Sequence, residues 1–232
     1  MKKFIYAANL KCNHTRKSFS AYAAALQKAC ESGGFESVVF VPASVFGEFK
    51  EALWTQGAQN FYPRESGSFT GETGAFHLAE FGIESVLVGH SERRNLLGES
   101  EALLREKFEF AVKKGWRVFY CIGENLATRE AGETEAFLKR QLENIDTSYE
   151  RLTVAYEPIW AIGTGVSAKT QTIKDTLAFL RTLTERPLLY GGSVSEKNIC
   201  DIKALDECDG VLVGTASWEA DEWINLIKKG EK

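Results

Sequence analysis

An α/β chain closed into a barrel of eight parallel strands wrapped by helices, a (β/α)8 architecture, is what this sequence predicts, on three observations. Short apolar or β-branched runs alternate with segments of helical spacing along the whole chain; most runs are continuous instead of alternating; and no Pro-, Ser- or Gly-rich linker interrupts them. A continuous run is buried on both faces, as in a parallel sheet covered by helices. Periodicity does not show closure, so a doubly wound open sheet is the competing arrangement. The absence of a linker predicts one domain over residues 1–232.

The runs are Phe4–Ala8, Ser37–Val41, a weak one around Ala58–Tyr62, Ser85–Val88, Arg117–Cys121, Leu152–Tyr156, Leu188–Tyr190 and Gly210–Val213. Between them, apolar residues recur at helical intervals: Phe19, Tyr22, Leu26, Ala29 and Cys30; Leu104, Phe108, Ala111 and Val112; Ile173, Leu177, Leu180 and Leu183; Ala220, Trp223, Ile224 and Ile227. The longest irregular stretch, Phe61–Glu72, carries three aromatics. It reads either as a partner surface or as a loop folded back on its own barrel.

A chain of 232 residues with 44% hydrophobic and 12% aromatic content supports a large folded core. Net charge −4 and a pI near 5.6 argue against nucleic acid or an anionic membrane as the main partner. Five widely spaced cysteines (Cys12, Cys30, Cys121, Cys200, Cys208) with no CxxC pair read as reduced thiols in the cytoplasm. The apolar start after Lys2-Lys3 stops at Asn9, too short for a signal peptide, and reads as the first strand. No apolar stretch approaches membrane-spanning length.

Chemistry is expected where the strands end. Glu157 follows the run Leu152–Tyr156 and precedes Pro158, which keeps Glu157 out of the helical region and presets the direction of its carboxylate. Ile159, Trp160, Ala161 and Ile162, then Gly163 and Gly165, form an apolar stretch with glycine hinges, suited to a closing lid. Asn9 and Lys11 lie two apart after the first run and face one side in an extended continuation. His90 and Glu92 follow Val88-Gly89 at the start of a helical turn, whose amides disfavour imidazolium and keep His90 neutral at neutral pH. Glycines after the last three runs (Gly163, Gly191-Gly192 before Ser193, Gly214 before Thr215) let backbone amides approach an anion such as phosphate. Two signals lead elsewhere. Gly163-Thr164-Gly165-Val166-Ser167-Ala168 fits a dinucleotide fingerprint but begins seven residues beyond Tyr156, so no nucleotide is expected. His14, His77 and His90 lack zinc-site spacing, so no metal is expected.

Taken together, Asn9-x-Lys11, Gly67-x-Phe69-Thr70-Gly71-Glu72, Val88-Gly89-His90-Ser91-Glu92-Arg93-Arg94, Cys121-Ile122-Gly123-Glu124, Ala155-Tyr156-Glu157-Pro158-Ile159-Trp160 running to Gly165, Tyr190-Gly191-Gly192-Ser193-Val194 and Leu212-Val213-Gly214-x-Ala216-Ser217 resemble the motifs of the triosephosphate isomerases, in the same order. That resemblance implies a barrel enzyme that interconverts dihydroxyacetone phosphate and D-glyceraldehyde 3-phosphate without a cofactor, a step of sugar breakdown and synthesis. It assigns Glu157 as the base and His90 as a neutral proton donor and relay. Lys11 would stabilise negative charge, Asn9 would position substrate oxygens and Glu92 would organise Lys11. Amides near Gly163, Ser193, Gly214 and Thr215 would hold the phosphate. Pro158–Ala168 would close over the site. It also implies a homodimer in which Phe61–Glu72 enters a partner pocket, with Thr70 and Cys12 at the interface.

The chain departs from the family pattern at Leu10, where Trp is common, and at Thr215, where a second glycine is usual. The segments Glu135–Arg151 and Thr170–Pro187 are shorter than usual, predicting trimmed helices that cost stability before activity. Two other functions compete. An aldolase or epimerase on the same fold would need a Schiff-base lysine or metal ligands at the rim, where Lys11 is the one lysine the sequence offers. A silent phosphate sensor would have no use for the base at Glu157.

Overall fold

The computed structural model describes residues 3–49, 51–161 and 168–232. Eight parallel strands, β1 (Ile5–Asn9), β2 (Glu36–Val41), β3 (Thr55–Ala58), β4 (Ser85–Val88), β5 (Arg117–Ile122), β6 (Leu152–Tyr156), β7 (Leu188–Tyr190) and β8 (Gly210–Val213), pair in sequence order. β8 returns to β1, with Ile5 opposite Gly210, so the sheet is closed and the open-sheet alternative falls. Closure also explains the continuous apolar runs. Alternate residues point to different cores: Ile5, Ala7, Val38, Phe40, Phe119, Cys121, Ala155, Leu189 and Leu212 fill the barrel, while Tyr6, Ala8, Val39, Val41, Val118, Tyr120, Val154 and Tyr156 pack under the helices. Inside, Phe40 and Phe119 meet edge-on with centroids 4.9 Å apart. Phe40 fits because β3 carries Gly57 beside it, where a Cβ would stand 2.5 Å from the Phe40 ring.

The outer layer comprises α1 (Arg16–Cys30), α2 (Ala75–Glu80), α3 (Ser91–Asn95), α4 (Glu101–Lys113), α5 (Leu126–Glu130), α6 (Thr134–Leu142), α7 (Thr170–Arg181), α8 (Ile199–Lys203) and α9 (Ala220–Gly230). The longer ones bury the apolar stripes read from the sequence: Phe19, Tyr22, Leu26 and Cys30 on α1, and Trp223, Ile224 and Ile227 on α9. α1 starts at a reciprocal cap, in which the Thr15 hydroxyl accepts from Ser18 N and Ser18 Oγ accepts from Thr15 N. α6 is nine residues and α7 twelve.

One predicted strand is displaced. The run Ala58–Tyr62 is not β3, which instead spans Thr55–Ala58 and shares only Ala58 with it. Gln56 and Gly57 are poor strand formers by type, but pairing with Val39 and Phe40 of β2 fixes them extended. Phe61 is fully buried against Trp116 from the loop that follows, with centroids 5.3 Å apart, so its burial does not reflect strand pairing.

A buried charge cluster joins this loop to the helices behind it. Lys107 of α4 and Glu99 are almost fully buried and ion-paired; Lys107 Nζ also donates to Asn60 Oδ1 (2.6 Å), and Arg93 Nε donates to Glu99 (2.6 Å). Asn60 stands immediately before Phe61, so the cluster fixes the root of the long loop to the segment that carries His90.

Candidate active site

Parallel pairing brings all eight strand ends to one rim, where side chains leaving the strands converge. A cavity of about 350 Å³ opens there, lined by Asn9, Lys11, His90, Glu157, Gly191 to Val194 and Leu212 to Ala216. Ser193, Gly214 and Thr215 are therefore on its wall, while Gly163 lies outside the described residues. Glu92 stands beside the cavity, its Oε1 2.7 Å from Lys11 Nζ.

Asn9, the last residue of β1, is buried and folds its side chain back so that Oδ1 accepts from Lys11 N at 3.0 Å. Lys11 adopts a left-handed backbone, φ 49°, which turns its side chain across the rim toward β8. A Cβ on Gly214 would lie 3.3 Å from Lys11 Cε, so the absence of a side chain there leaves room for the lysine stem.

His90 caps α3: its Nδ1 accepts from Glu92 N at 3.3 Å. A nitrogen that accepts from an amide carries no proton, which puts the ring proton of the neutral imidazole on Nε2. That nitrogen points into the site and lies 3.2 Å from Glu157 Oε1. The expected helical turn at His90 is thus present, with the imidazole itself as its cap.

Glu157 is nearly fully buried and held from several sides. Its Oε2 accepts from Ser91 N at 3.1 Å. Its backbone N donates to Ile122 O at 2.7 Å, and its Cγ sits against Gly191. The Cys121 thiol lies inside the barrel beside it and is pushed well above its ordinary pKa, first by burial and then by the neighbouring carboxylate. It stays a thiol at neutral pH, an uncharged neighbour. Gly123 and Gly191, from the ends of β5 and β7, make the seat: a Cβ on Gly123 would be 1.8 Å from Glu157 O, and one on Gly191 2.8 Å from Glu157 Cγ.

The stretch after Glu157 is anchored at its near end. Ile159 to Ala161 form a 3₁₀ turn, with Ile159 N donating to Glu124 O (3.0 Å) and Trp160 Nε1 to Glu124 Oε1 (3.1 Å). Glu124 is fully buried and also meets Arg129 Nη1 (3.3 Å) and Tyr156 Oη (3.1 Å). From β7, Ser193 Oγ donates to Ala161 O at 2.7 Å. Residues 162–167 of the expected lid lie outside the described residues.

Among the described residues no group of three His, Cys, Asp or Glu is arranged to hold a metal ion. Ser91, Gly123 and Glu124 touch or support Glu157 or the segment following it without being conspicuous by residue type, and Gly191, read from the sequence for anion binding, also lies against the Glu157 side chain. A glycine directly after a strand, as at 123 and 191, is the one signal they left.

The family model of triosephosphate isomerases matches residues 4–230, nearly the whole chain. The chain belongs to the triosephosphate isomerase family. It is 60% identical over 222 residues to the triosephosphate isomerase of Campylobacter curvus, covering 96% of each chain. The triosephosphate isomerase of Campylobacter concisus is 59% identical, with 96% of this chain and 97% of the relative covered. That of Nitratiruptor is 48% identical over 226 residues, 97% of each. Against this triosephosphate isomerase background, the match from end to end agrees with the closed barrel and its uninterrupted alternation of strands and helices.

Proposed function

We propose that this chain interconverts dihydroxyacetone phosphate and D-glyceraldehyde 3-phosphate through an enediol(ate), as one domain spanning residues 1–232. The observation that carries this reading is the pairing of two groups with different tasks in one small cavity: a buried carboxylate, Glu157, within 3.2 Å of the Nε2 of an imidazole whose other nitrogen accepts from an amide. Glu157 takes the proton from the carbon beside the carbonyl and returns it to the neighbouring carbon. His90 donates from Nε2 to the carbonyl oxygen and relays protons between the two oxygens. Lys11, oriented by Glu92, supplies positive charge for the enediolate, and Asn9 orients substrate oxygens. The amides of Gly163, Ser193, Gly214 and Thr215 hold the phosphate, and Pro158–Ala168 closes over it, excluding water. A cavity of about 350 Å³ is at the small end of ligand sites, in keeping with a three-carbon ester.

Purified protein should convert glyceraldehyde 3-phosphate in an assay coupled to reduction of dihydroxyacetone phosphate. In deuterated water the product should take up deuterium at carbon. Conversion without label uptake would rule out proton transfer through a solvent-exchanging base. Gly191→Ala tests the seat of Glu157. Its new methyl displaces the carboxylate, and kcat should fall about tenfold or more, as expected for a sub-ångström misplacement. Unchanged kcat in a folded variant would show that the seat does not matter.

We further propose a homodimer through Phe61–Glu72. Phe69 (37% exposed), Phe76 (62%), Leu96 (78%) and Leu97 (63%) lie uncovered on and near this loop. A cavity of about 580 Å³ lined by Cys12, Asn13, Gln59, Glu92 and Leu97 is available to receive a partner's loop. Thr70→Arg should shift sedimentation to the monomer and lower kcat, since that cavity borders Lys11. A variant that stays dimeric, or a monomer with full activity, would sink the proposal. The five free cysteines support a reducing compartment, and we assign the protein to the cytoplasm.

A further inference from the structure

The connection from β1 to α1 holds both left-handed non-glycine backbones among the described residues, Lys11 at φ 49° and His14 at φ 75°. L-residues disfavour that region, so a loop with two of them needs holding from outside. The holding comes largely from the other side of the cavity, from the segment after β8. His14 Nε2 lies 2.8 Å from Trp218 O, an atom that can only accept, so this nitrogen carries the proton and donates. Trp218 Nε1 donates back to Asn9 O at 3.3 Å. The two bonds run in opposite directions and close a ring between the loops. His14 is steadied in turn by Ser18 Oγ (3.1 Å from Nδ1) and by edge contact with Tyr22, whose hydroxyl donates to Ser217 O at 2.9 Å.

What the ring spans gives it a role. On one side it brackets Lys11, between Asn9 and His14; on the other it follows Gly214 and Thr215 by three or four residues. We infer that His14 and Trp218 are positioning residues that fix the Lys11 ammonium at a set distance from the amides of Gly214 and Thr215. This rests on the reading in which those groups bind opposite ends of one phosphorylated substrate. Gln59 Nε2 also reaches Lys11 O (2.9 Å), but from β3's side, so it does not set the distance to β8.

His14→Gly separates this role from a merely structural one. Glycine is at ease at φ 75°, which offsets part of what is lost with the imidazole's contacts to Ser18 and Tyr22, while the bond to Trp218 is gone. Trp218→Phe keeps a ring in place and removes only the indole donor. In each, KM for glyceraldehyde 3-phosphate should rise about fivefold, the scale of one hydrogen bond, with kcat changed less. The double variant should be no worse than the poorer single, because both bonds close one ring. Amide hydrogen exchange over residues 10–15 should quicken in both variants while the strands keep their protection. KM within a factor of two of the parent in both, or unchanged exchange over residues 10–15, would overturn the inference. An inactive parent whose loop exchange still quickens in the variants would sink the isomerase reading and leave the ring standing as what holds this loop.

Discussion

Glu157→Asp should fold normally and lose about a hundredfold or more in kcat with little change in KM. Shortening the side chain by one methylene withdraws the carboxylate by roughly an ångström, and misplacement on that scale costs about 10²-fold in proton transfer. The structure gives the aspartate nowhere to recover the distance. The backbone at 157 is fixed by its bond to Ile122 O and by close contact with Gly123, and Pro158 follows directly. The amides proposed to hold the phosphate are untouched, so substrate affinity should hold and the loss should fall on turnover. Steady-state kinetics in both directions will read it. A kcat within threefold of the parent would remove Glu157 from the role of base.

Lys107→Met should lower unfolding free energy by about 3 kcal/mol, the scale of leaving one member of a buried pair behind. Glu99 would keep Arg93 Nε at 2.6 Å, but Asn60 Oδ1 would lose its donor, and with it the root of the Phe61–Glu72 loop. Burial also lowers the pKa of Lys107, against the opposing pull of Glu99. The unfolded chain holds this proton to higher pH than the folded one. The penalty for keeping Lys107 charged is therefore full below its folded pKa, and stability rises as pH climbs from there toward the ordinary lysine value. Buried tyrosines and thiols whose pKa values are raised pull stability down over the same pH range, so the test is the difference in urea unfolding free energy between parent and Lys107→Met, which should shift in the parent's favour as pH climbs. Combining Lys107→Met with Glu99→Leu should restore part of the loss, since it removes the buried carboxylate that the partly exposed Arg93 alone would have to balance. A single variant as stable as the parent would show that the cluster contributes nothing net.

Much of this fold is legible from residue pattern, and the exceptions have causes. β4, β6, β7 and β8 fall where the apolar runs lie, and β1, β2 and β5 within a residue, because a strand buried on both faces must be apolar throughout. β3 is misread because Gln56 and Gly57 are strand residues by virtue of their neighbours. α2, α5 and α8, of five or six residues, are too short to show a period. Closure comes from the pairing of β8 with β1, a contact between chain ends that no local pattern encodes. At the site, Asn9, Lys11, His90 and Glu157 are chemically conspicuous and sit at predicted strand ends. Ser91 acts through its backbone, and His14 through a left-handed turn, so neither is visible in a residue's type.

Gly123 and Gly191 have a consequence for how this enzyme is explored. They serve by what they lack, so a scan that strips side chains down to alanine would meet them as additions and score a collision as though it were a lost contact. Libraries that randomise both positions should return glycine almost alone. With main chain pressed against Glu157 from β5 and its Cγ resting on β7, the place of this side chain is built in by two missing methyl groups.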